Sequence, residues 1–181
     1  LDADAGCAII AEVKRRSPSR GLLREDFDPI RIAAVYEQNG AAAISVLTDE
    51  TFFGGSNADL SVVGSAVTLP VLRKDFIIDP YQVYETRAIG ADALLLIAAI
   101  LTERQLREYR DLAASLGMAA LVEVHTRGEL EKALAFQERR HAVTGHNIAN
   151  ASTPFFKPQD LNEGEFNRLL RQAVKARDEG N

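Results

Sequence analysis

The sequence has a single cysteine, Cys7, and no tryptophan. One thiol cannot close an internal disulfide, so nothing in the chain calls for an oxidising compartment, and Cys7 lies in an apolar run that reads as inert core. An excess of positive charge is also missing. The formal net charge of −5 argues against sequence-independent nucleic-acid binding, which needs clustered cations. The longest apolar run, 93–101, falls far short of the ~20 residues that span a bilayer. No charged, apolar and small-residue signal opens the chain, so the expectation is a cytoplasmic protein with no membrane partner. Because the chain starts at Leu1 rather than Met, a fragment of a longer protein is also expected.

What is present is a repeat. NGAAAISVL (39–47), IGADALLLI (89–97) and LGMAALVEV (116–124) share one layout: a glycine where a helix would stop, small residues, then a short apolar run. Glycine suits the position past a helix end because that position often needs positive φ. Runs this short and apolar on both faces match parallel strands buried under helices. CAIIAEVKR (7–15) and PVLRKDF (70–76) supply two more strands, with helical patterns at 29–39, 57–67, 80–89 and 103–116 between them. Thr102 reads as a helix cap and Pro80 as a first-turn residue. Alternation of this kind predicts a parallel α/β sheet, closed or open.

No G-x-G-x-x-G follows the first strand, which weakens a dinucleotide site. Charges instead stand at the carboxyl ends of separate strands: Glu12 and Lys14, Lys74 and Asp75, and Glu123. A barrel gathers such ends on one face, so the expected fold is a partial (β/α)8 TIM barrel of about five βα units. Period-two alternation puts Glu12 and Lys14 on one strand face and turns Asp75 away from Lys74. The glycines of FFGGS (52–56) lack the lysine of a P-loop. His125, His141 and His146 have no carboxylate or cysteine pattern beside them, so no metal is expected.

AEVKRRSPSRG, ISVLTDETFFGGS, PVLRKDFIIDPYQVYETRAIGADALLLI and ALVEVHTRGELEKAL, in this order, closely resemble indole-3-glycerol-phosphate synthase over about residues 5–134. The resemblance implies a (β/α)8 barrel that uses no cofactor. The implied reaction closes the indole ring of 1-(2-carboxyphenylamino)-1-deoxyribulose 5-phosphate in tryptophan biosynthesis, releasing carbon dioxide and water. By motif it assigns Lys74 as general acid toward the ketone or hydroxyl oxygen. Glu123 matches the glutamate with the complementary proton-transfer role, and Glu12 a glutamate that positions the reacting groups. Lys14 matches a lysine near the substrate carboxylate, Ser17 lies in the same loop, and Phe52 and Phe76 resemble aromatic neighbours of the anthranilate ring. The only partner implied is the phosphorylated small molecule.

The family's later strands, six to eight, are not recognisable, and from about residue 135 no β signal is present. A helix is expected to run to about 143, then a polar loop over 144–163, then an amphipathic helix over 165–179. ERRHAVTGHNIANASTPFFKPQDL (138–161) is similar to the amino-terminal signature of flagellar basal-body rod proteins, through Asn147, Ile148, Ala149, Asn150, Thr153 and Pro154. Phe155 stands where that family usually has glycine. The expectation is therefore a truncated barrel domain over 1–134, joined between about 130 and 137 to a helical tail over 135–181, with impaired activity. Open sheet edges on a five-strand arc are expected to drive self-association.

Overall fold

The structure is a computed structural model and describes residues 8–133. The described residues divide after Glu123 into two units. In the first, the chain runs β1 (Ile10–Val13), β2 (Arg16–Ser17), β3 (Gly21–Leu22), α1 (Pro29–Gln38), β4 (Ala43–Leu47), α2 (Glu50–Phe53) and α3 (Asn57–Ala66). It continues through β5 (Val71–Lys74), α4 (Pro80–Ala88), β6 (Ala93–Ile97), α5 (Glu103–Ser115) and β7 (Ala119–Glu123). Five strands form one sheet in the order β1-β4-β5-β6-β7, every pair parallel, while β2 and β3 make a small antiparallel hairpin.

The glycine repeat corresponds to one closing device used three times. Gly40, Gly90 and Gly117 all take positive φ, at 84°, 93° and 76°. In each case the next amide reaches back into the finished helix: Ala41 to Tyr36 O, Ala91 to Thr86 O and Met118 to Ala113 O, at 3.1, 3.2 and 2.9 Å. That bond satisfies a carbonyl the helix end would otherwise orphan, and it aims the chain straight into the next strand. Helix starts are equally local. Asp28, Asp79 and Thr102 cap α1, α4 and α5, with Pro29 and Pro80 in the first turns, and α4 and α5 have full capping boxes with Gln82 and Gln105.

Strand alternation divides the sheet. Val13, Ile44, Val46 and Val71 turn toward the helices and pack in one buried cluster with Ile32, Ala33, Leu60 and Val63. The positions between them face the other way, onto the surface that forms the site. The turn that leaves α2 is pressed against the end of β4: a methyl group at Gly55 would lie 2.0 Å from the Leu47 carbonyl oxygen, so only glycine fits. In the second unit, residues 127–133 are helical, and Thr126 Oγ1 accepts from the Glu129 amide at 3.2 Å. The expected tail over 135–181 and its join lie outside the described residues, apart from the start of the 130–137 window.

Candidate active site

The side of the sheet turned away from the cluster holds a cavity of about 270 Å³ lined by Ile10, Glu12, Ser45, Leu72, Lys74, Leu95, Leu121, Val122 and Glu123. Its charged members come from three strands. The register shows how they meet: Glu12 pairs with Ser45 and Ser45 with Leu72, and Lys74 lies two residues past Leu72. Leu72 pairs with Ala93 and Ala93 with Ala119, and Glu123 lies four residues past Ala119. Each strand crossed therefore advances the charged position by one residue. The same advance brings Ile10, Leu72 and Leu121 together one step below, as an apolar floor.

Glu12 joins two cations. One carboxylate oxygen accepts from Lys14 Nζ, and the other from Lys74 Nζ at 2.5 Å. Burial, the largest single influence, pushes the Glu12 carboxyl up; the bonds and charges of Lys14 and Lys74 together outweigh it, and the net shift is down from the ordinary 4.5. A depressed folded-state value means that Glu12 contributes stability above the unfolded value, lost as the pH falls through the folded one. Glu12→Gln is accordingly expected to be less stable than the parent at neutral pH, with the gap narrowing as the pH falls below the ordinary carboxyl value of 4.5 and through the depressed one. Denaturant midpoints of both proteins between acid and neutral pH check this, and a pH-independent gap contradicts it.

Lys74 is held from behind. Arg73, its neighbour on β5, points to the helix side and is 3% exposed. Its guanidinium donates to Thr48 Oγ1 at 3.1 Å, Thr86 Oγ1 at 3.1 Å, the Gln82 carbonyl at 3.3 Å and Asp75 Oδ2 at 3.0 Å, and it pairs with Glu85 Oε2 at 2.8 Å. Thr48 Oγ1 in turn donates to Asp75 Oδ2 at 2.6 Å. This network ties the carboxyl end of β5 to β4 and α4, so Lys74 projects from a fixed backbone.

The other residues singled out in the sequence are placed differently. Lys14 reaches the site through Glu12 and is not among the lining residues. Ser17 sits in the hairpin, where its hydroxyl accepts from the Arg20 amide at 3.2 Å. Phe52 and Phe76 meet edge-on with centroids 6.0 Å apart, and both are exposed outside the cavity lining. Ser45 and the floor residues Ile10, Leu72, Leu95 and Leu121 were not foreseen. Strand parity with Glu12, Lys74 and Glu123 is the signal that finds most of them. Among the described residues no His/Cys/Asp/Glu group is suited to hold a metal, and no helix is long and apolar enough to cross a membrane.

A family model described as "Indole-3-glycerol phosphate synthase" matches residues 2–152. The match continues past 134, across the 130–137 window and into the segment likened to rod proteins. Similar relatives include an indole-3-glycerol phosphate synthase of Chlorobium chlorochromatii, 57% identical over 83% of this chain and 58% of its own length. Another, from Ralstonia nicotianae, is 51% identical over 78% of this chain and 53% of its own. A third, from Chlorobium luteolum, is 48% identical over 87% and 64%. The chain thus spans between about half and two thirds of the length of these curated relatives. Among solved structures, a mandelate oxidase variant with (S)-mandelic acid aligns at a TM-score of 0.55 over 72% of this chain and 47% of that one. At 16% identity this likeness speaks to the fold alone.

Proposed function

The chain belongs to the indole-3-glycerol phosphate synthase family, and from that premise we propose that its cavity is the reaction centre of an indole-forming lyase. The substrate is 1-(2-carboxyphenylamino)-1-deoxyribulose 5-phosphate, and the products are indole-3-glycerol phosphate, carbon dioxide and water. The five-stranded sheet is read as an arc of an eight-stranded barrel. What supports this is the advance of one residue per strand, which equals a shear of eight over eight strands and brings alternate strands into common layers.

In this reading Lys74 gives a proton to the ketone oxygen as the ring carbon bearing the carboxylate attacks the ketone carbon. Loss of carbon dioxide returns the electron pair to the ring, and loss of water completes the indole. A cation beside an oxygen that gains charge stabilises that step, and Glu123 on the next odd-numbered barrel strand moves the proton needed for dehydration. Glu12 spaces the two lysines, leaving Lys14 to face the substrate carboxylate. Ser17, Phe52 and Phe76 remain proposed substrate contacts outside the cavity proper. The observation that carries the reading is the meeting of Glu12, Lys74 and Glu123 on one cavity. Its test is the coupled appearance of indole absorbance and carbon dioxide from the substrate; neither appearing from a substrate that binds would overturn it.

Two finer readings attach to the same chain. Among the described residues β1 and β7 are the sheet's edges, and Ile10 and Leu121 on them are 50% and 45% exposed. Unpaired edges with apolar side chains recruit other strands, so a second copy is the proposed partner. Sedimentation should show mass rising with concentration in the tens of micromolar; a sharp monomer throughout contradicts this. For 138–161, the Asn-Ile-Ala-Asn signature supports a rod-like segment and hence a joined tail. Failure to co-sediment with flagellar basal bodies removes that reading.

A further inference from the structure

The geometry points to Ser45 as a substrate-contacting residue that reads the amine of an aromatic amino acid on the cavity floor. This inference rests on the reaction-centre reading above and adds a specificity contact to it. Ser45 lies in the middle of β4, a strand that is otherwise Ala43, Ile44, Val46 and Leu47. It is 4% exposed and lines the cavity, and its hydroxyl has no hydrogen-bond partner among the described residues. A buried hydroxyl without a partner is destabilising, and an alanine or valine would suit an inert strand interior better.

The surroundings narrow what the hydroxyl can serve. Below the charged level, the residues lining the cavity with Ser45 are Ile10, Leu72, Leu95, Leu121 and Val122, all apolar. Ser45 is the one polar side chain of that floor among the described residues. Its register partners are Glu12 on one side and Leu72 on the other, so it sits where the apolar floor meets the charged rim. A flat aromatic ring covers such a floor well, and its carboxylate can turn toward Lys14 and Lys74. An amine ortho to that carboxylate then reaches Ser45, whose oxygen accepts its N–H. A ring without the amine leaves the hydroxyl as unsatisfied as before, which is how one buried polar atom discriminates between ligands of equal shape.

The test is calorimetric titration of the wild-type chain and Ser45→Ala with 2-aminobenzoate and with benzoate. Wild type is expected to favour 2-aminobenzoate by about fivefold to tenfold, the size of one hydrogen bond. In Ser45→Ala the two acids should bind alike, while thermal stability stays level or rises, because the change removes an unpartnered hydroxyl. Preference retained in Ser45→Ala, or absent from wild type that binds both acids, overturns the assignment and leaves the reaction-centre reading intact. Binding of neither acid to the wild type overturns the aromatic site and this assignment together.

Discussion

Replacing Lys74 by alanine should lower the rate of ring closure by about 10²–10⁴-fold, the range typical for loss of a positioned general acid. Lys74 reaches the cavity from the third strand of the sheet, with its ammonium on Glu12 Oε2 and side-chain exposure of 34%. It is therefore accessible to a substrate oxygen while kept in place by a carboxylate. Lys74→Arg keeps the charge but is a much poorer proton donor at neutral pH, so it should rescue binding more than turnover. Steady-state kinetics of the three proteins separate the roles. A kcat unchanged in Lys74→Ala would remove the lysine from the chemistry.

Arg73→Ala should cost about 3–5 kcal/mol of folding stability, the usual consequence of removing one partner from a buried ion pair. Asp75 and Glu85 would face the space left by a guanidinium that is itself 4% exposed in its side chain. The Thr86 hydroxyl would keep its bond to the Gln82 carbonyl at 2.6 Å but lose Arg73 as a donor. An exposed pair provides the contrast: Arg104 and Glu108 lie one turn apart on α5 with side chains 79% and 51% exposed. Arg104→Ala should change stability by no more than about 0.5 kcal/mol. Denaturant unfolding of both variants tests the difference, and equal midpoints contradict it.

These two residues also mark how far the sequence could be read. Lys74 stood out because a lysine closing an apolar run is costly to bury unless it is paired or used. Arg73, beside it on the same strand, was not singled out in the sequence. Its burial depends on Glu85, Gln82 and Thr86, which α4 brings over the strand, and no local pattern announces that packing. The helix caps and the glycine-led repeat were legible because each is a short-range bond with a residue preference. The β2–β3 hairpin and α2 escaped because two-residue strands and a four-residue helix are shorter than any period that would reveal them. The meeting of Glu12, Lys74 and Glu123 depends on sheet stagger, a property of strand pairing. Their places at the carboxyl ends of separate strands suggested that a barrel gathers the three on one face, the resemblance gave them roles, and the register supplies the physical reason they share a cavity.

The claim on which the rest depends is that this cavity, and Lys74 within it, binds the substrate. Calorimetric titration with 1-(2-carboxyphenylamino)-1-deoxyribulose 5-phosphate tests it most directly, using the wild type, Lys74→Ala and Arg104→Ala. Saturable binding to the wild type is expected, weakened by about tenfold or more in Lys74→Ala, where about 1.4 kcal/mol of charge-assisted contact is lost. Arg104→Ala, altered on the exposed helix face, should bind as the wild type does. Identical isotherms for wild type and Lys74→Ala would contradict a role for Lys74 in binding.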